Sequence, residues 1–68
     1  LIGYNQKYKI MKTETVRKTK KGRILKHTVT SGMSVGDYYY VVLDENGNHV
    51  ETIGNRDLTT LNKYITEL

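Results

Sequence analysis

The sequence predicts a small α+β fold, an antiparallel sheet of two β-hairpins backed by one carboxyl-terminal helix. Three observations point to it. Residues 38–43 (Tyr-Tyr-Tyr-Val-Val-Leu) and 50–53 (Val-Glu-Thr-Ile) are strand-like runs on either side of Asn46-Gly47. Asn-Gly between such runs is the strongest short-range hairpin signal, because both residues tolerate positive φ. Residues 15–19 and 23–30 flank Lys20-Lys21-Gly22 in the same way. Beyond Gly54, the residues Leu58, Leu61, Ile65 and Leu68 recur at three- and four-residue steps, the period of one helical stripe.

The first strand is expected near residues 6–18. Tyr4, Tyr8, Ile10 and Val16 fall on even positions, and Lys7, Lys9 and Arg17 on odd ones. That alternation describes a strand with one cationic face. Lys12 and Glu14 interrupt the apolar side, so a bulge or break is expected near Met11. Residues 1–5 read as a flexible end of a single domain spanning 1–68. Gly22 is placed for the left-handed position of a type I turn with a bulge, and the second strand follows over 22–30.

Residues 31–36 (Ser-Gly-Met-Ser-Val-Gly) read as a flexible connection. The third and fourth strands are expected at 37–44 and 48–54, and two turns fit between them. A two-residue type I′ turn pairs Leu43 with Val50; a type I turn with a bulge at Gly47 pairs Val42 with Val50. The choice decides which side chains are buried. Asn55 or Asp57 caps a helix over about 57–67, too short to persist alone and therefore packed on the sheet.

Composition limits the function. The 68 residues contain no Cys, Trp, Phe or Pro, and 37% are hydrophobic. Disulfides and thiolate metal sites are excluded, and so small a core leaves little room for a deep pocket. No run of 18 apolar residues and no signal-peptide core is present, so a cytoplasmic location with no membrane partner is expected. The chain opens on Leu1, which suggests a fragment or a processed product.

Charge is sharply divided. Residues 1–27 hold Lys7, Lys9, Lys12, Arg17, Lys18, Lys20, Lys21, Arg23 and Lys26 against Glu14, nine cations to one acid and a net charge of +8. Residues 28–68 hold Arg56 and Lys63 against Asp37, Asp44, Glu45, Glu51, Asp57 and Glu67, two cations to six acids and a net charge of −4. A basic block beside an acidic one points to a polyanion partner; the plainer reading is a solvated surface that aids solubility.

Catalysis finds few candidates. His27 and His49 lie on different strands without a partner nucleophile, no phosphate-binding glycine loop is present, and a metal site would need His49, Asp44 and a third ligand. A non-enzymatic protein without a cofactor is expected. Nucleic-acid binding has a firmer basis. Arg17, Lys18, Lys20, Lys21, Arg23 and Lys26 cluster about one hairpin, and a two-stranded ribbon fits the major groove of B-DNA. Arg17 and Arg23 suit bidentate contact to guanine, the lysines suit phosphates, and Thr15, Thr28 and Thr30 can add polar contacts. Tyr39 must oppose Tyr38 and Tyr40, so at least one tyrosine lies on the face away from the helix.

Gly22-Arg23-Ile24-Leu25-Lys26, followed by Asp37-Tyr38-Tyr39-Tyr40-Val41-Val42-Leu43-Asp44 and a terminal helix, resembles the amino-terminal arm-type DNA-binding domain of conjugative-transposon tyrosine recombinases, related in fold to plant AP2 domains. The resemblance covers about residues 22–66. It implies a three-stranded sheet that enters the major groove, with Arg23 and Lys26 facing DNA and Tyr38 or Tyr40 as the next contacts. The basic segment at 4–18 and the long connection at 31–36 depart from that pattern, and no recombinase catalytic domain is present.

The expected function is thus a DNA-binding module or accessory factor of a phage or mobile element. The alternative is a protein-binding module, such as a phage inhibitor of an acidic or nucleic-acid-handling host protein. In that case the open sheet face, the tyrosines and the acidic tip at Asp44 and Glu45 form the interface. An edge strand without proline also leaves self-association open.

Overall fold

A computed structural model describes residues 11–68. Four antiparallel strands, β1 (Met11–Thr19), β2 (Gly22–Val29), β3 (Tyr38–Asp44) and β4 (His49–Gly54), form one sheet in the order β1-β2-β3-β4, followed by helix α1 (Leu58–Glu67). The α+β class and the carboxyl-terminal helix are as the sequence predicts. The expected start of the first strand, near residue 6, lies outside the described residues.

The two hairpins belong to one continuous meander. β2 and β3 pair from Gly22↔Asp44 to Thr28↔Tyr38. The connection between them is not loose. Val29 N–H donates to the Asp37 carbonyl at 2.8 Å, and Gly36 N–H donates back to the Val29 carbonyl at 2.9 Å. The ladder therefore extends one pair beyond the strands.

The core is small and lies between the sheet and α1. Ile24, Val42, Ile53 and Leu61 are its buried side chains, with Tyr40, Tyr64, Ile65 and Leu68 packed against them. Ile24 pairs with Val42, and Tyr40 with Ile53, so the even positions of β2 and β3 face the helix and the odd ones face away. The helical stripe is Leu61, Tyr64, Ile65 and Leu68. Leu58, expected in the stripe, is 58% exposed; it stands at the first helical position, before the helix comes down onto the sheet. Tyr64 completes the stripe, and its hydroxyl donates to Glu51 Oε1 at 2.6 Å. That hydrogen bond first, then partial burial and the charges of Glu51 and Glu67, raise the Tyr64 phenol above its ordinary pKa.

Of the two expected caps, Asp57 closes α1. Its Oδ1 accepts Thr60 N–H at 3.2 Å, and its Oδ2 accepts the Thr60 hydroxyl at 2.7 Å. The hydroxyl bond and then the backbone bond hold the Asp57 carboxyl below its ordinary range.

The β3–β4 turn is the type I form. Gly47 N–H donates to the Asp44 carbonyl at 3.0 Å, Gly47 has φ +84°, and Leu43 pairs with His49. Neither expected pairing of Val50 survives, because a second irregularity lies between Val42 and Leu43. Val42 pairs with Glu51, and Val50 is left 48% exposed. On β1 the bulge falls between Thr15 and Arg17 rather than near Met11, where pairing with β2 is regular, and Val16 is 43% exposed. A bulge takes one residue out of alternation, so Val16 does not continue an apolar face.

Gly22 has φ +153°, a backbone conformation that residues with a side chain rarely adopt, though not the αL geometry expected for the turn, and it serves a second purpose. It is buried against β3, where an added Cβ would stand 2.2 Å from the Leu43 carbonyl oxygen. No described helix is long and apolar enough to cross a membrane.

Candidate nucleic-acid interface

The basic residues gather on the β1–β2 hairpin but do not share a face. Lys20 and Lys21 form the two-residue turn between the paired Thr19 and Gly22, where Thr19 Oγ1 accepts Lys21 N–H at 3.1 Å. Lys18 pairs with Arg23, and both point to the open face. Arg17 pairs with Ile24, Glu14 with Lys26, and Lys12 with Thr28, which puts Lys12, Glu14, Arg17 and Lys26 on the helix side. All of these cations are exposed except the half-buried Lys26.

The implied pair of DNA-facing residues, Arg23 and Lys26, is therefore divided. They stand three positions apart on an unbulged strand, so their side chains leave opposite faces. Tyr38 and Tyr40 lie on the helix side with Lys26. Lys26 Nζ sits 4.4 Å from the Tyr38 ring centre, and Tyr38 meets Tyr40 edge to face at 5.9 Å and 84°. Because Tyr40 packs against the core, its ring serves the fold.

Tyr39 is the tyrosine of the open face. Its ring centre lies 5.4 Å from that of His27, and its hydroxyl meets Met11 Sδ at 3.9 Å. His27 Nδ1 is 2.8 Å from Thr13 Oγ1. Thr13 is a surface polar group that the sequence does not single out, and His27, weighed there only for catalysis, turns out to share the open face with it. The signal was present in Ile24: once it is inward, every odd position of β2 is outward. Thr15 also lies on the open face, whereas Thr28 lies on the helix side and Thr30 just beyond β2.

The remaining candidate groups have structural partners. Asp44 Oδ1 accepts the N–H groups of Asn46 and Asn48, each at 2.9 Å, and so builds its own turn. His49 Nε2 is 2.8 Å from Thr52 Oγ1. Among the described residues, no three His, Asp or Glu side chains converge on a point that could hold a metal, and no pocket opens.

The polarity of the molecule runs across the sheet. Residues 11–29 carry seven cations and one acid, a net charge of +6, and residues 30–68 two cations and six acids, a net charge of −4. The meander places the two lower turns side by side, since Gly22 pairs with Asp44. Lys20 and Lys21 thus neighbour Asp44 and Glu45, and charge changes sign over the width of two strands. No family model, curated protein or solved structure shows significant similarity to the chain.

Proposed function

We propose that the chain is a small DNA-binding module or accessory factor, of the kind found in a phage or mobile element, that binds duplex DNA through its β1–β2 hairpin. The observation that supports this most is the concentration of Lys12, Arg17, Lys18, Lys20, Lys21, Arg23 and Lys26 on the edge strand β1, its turn and the adjoining β2, with Glu14 as the single acid there. Long cations on paired strands reach phosphates along a groove.

Titration into a random-sequence duplex tests it. If about five phosphates are neutralised, log K falls with log[salt] at a slope near −4.5, so affinity drops roughly 500-fold between about 50 and 200 mM salt. Lys20→Glu combined with Lys21→Glu should abolish binding and leave the unfolding curve unchanged. Absence of binding at the lower salt would overturn the reading and turn attention to an acidic protein partner.

A further inference from the structure

We infer that B-form DNA is met along the β1 flank of the sheet, edge-on, with both faces of the β1–β2 ribbon touching phosphates on opposite walls of the major groove. The inference rests on the DNA-binding reading above. It differs from flat docking, in which the open sheet face alone meets the duplex.

Three observations carry it. The first is the distribution of cations, with Lys18 and Arg23 on the open face, Lys12, Arg17 and Lys26 on the helix side, and Lys20 and Lys21 at the end. Flat docking would waste the three on the helix side. The second is the direction of the charge gradient, which runs from β1 towards the acidic β3–β4 turn. A polyanion laid flat on the open face would reach β3 and β4 and approach Glu45. One meeting β1 first stays clear of it.

The third is size. Side chains on both faces make a strand layer about 10 Å thick, and neighbouring strands are about 4.8 Å apart. The major groove is about 12 Å wide and 8.5 Å deep. β1 and the outer part of β2 therefore fit edge-on, and insertion stops where Leu61 of α1 covers Ile24. In this pose each face of the ribbon looks at one phosphate backbone. Glu14, on the helix side, faces a phosphate wall and weakens the complex.

Two exposed pairs separate the geometries, Lys12→Ala with Arg17→Ala on the helix side and Lys18→Ala with Arg23→Ala on the open face. Anisotropy of a labelled random duplex is followed for the full chain and each variant between about 50 and 200 mM salt. Edge-on insertion predicts that each double variant loses about 1.8 from the salt slope, so affinity falls only roughly 40-fold over that interval. Glu14→Gln should tighten binding. If wild type binds and only the open-face pair changes the slope, with Glu14→Gln silent, edge-on insertion is wrong and the DNA-binding reading stands. If wild type fails to bind, both fall. Circular dichroism of every variant should match wild type, because none of the five residues is buried.

Discussion

β1 gives the core no buried side chain, whereas β2, β3, β4 and α1 each give one, Ile24, Val42, Ile53 and Leu61. The two sides of the sheet thus answer to different constraints. In β2–β4 and α1 the side-chain pattern is dictated by what must be kept from water. β1 buries no side chain and makes only surface contacts among the described residues, such as Thr13 with His27, so a long run of Lys, Arg, Thr and Glu costs the fold little. The strand that carries least of the stability is the one free to carry charge, and substitutions should separate accordingly.

The largest effect is expected at Gly22, where the two regions join. Gly22→Ala drives a Cβ into the Leu43 carbonyl, backbone that cannot swing aside. It also forces alanine to φ +153°. Strain and overpacking together cost about 3 kcal/mol or more, enough to unfold much of so small a domain. Gly47→Ala is the control. Its φ is +84° but nothing lies within 4 Å of the added Cβ, so about 1–2 kcal/mol is expected from the left-handed backbone alone. Equal urea midpoints for the two variants would show that β2 and β3 are not in close contact at Gly22.

Ile24→Ala comes next. Truncation of this fully buried side chain should cost about 2–5 kcal/mol. Val16→Ala, at the β1 bulge, should stay within about 0.5 kcal/mol. A large loss at Val16 would break the contrast, because it would mean that β1 packs against something that stabilises it.

Much of this was legible in the sequence, and the failures have a common origin. Asn46-Gly47, the helical period and Asp57 act locally, and each acts as local chemistry requires. The bulges at Val16 and Val50 do not follow from local preference, because they settle which strand slips against which. With Val50 displaced, Glu51 rather than Val50 stands opposite Val42 and meets the Tyr64 hydroxyl. A hydropathy stripe ranks Leu58 above Tyr64, whereas the sheet offers Glu51 as a partner for the Tyr64 phenol. The basic cluster was visible as composition. Its division between two faces was not, since it needs the inward phase of Ile24 as a reference.

The smallest expected effect concerns pH, and it belongs wholly to the helix side of the comparison. The Asp57 carboxyl is held low by Thr60. A depressed acid contributes stability above its unfolded value, near about 4, which is lost as pH falls through the folded one. Tyr64 is held high by Glu51, so its contribution is full below the unfolded value, near about 10, and is lost as pH rises through the folded one. Asp57→Asn keeps a capping side chain without a titrating group, and Tyr64→Phe removes the phenol alone. The thermal midpoint of wild type should exceed that of Asp57→Asn at neutral pH, and the gap should close in acid. The gap to Tyr64→Phe should close only in alkali. Both helix contacts are distant in sequence from the β1–β2 cations, so neither substitution should alter the salt slope of DNA binding. A changed slope would mean that α1 touches the duplex, and the division between a folding side and a binding side would fail at that point.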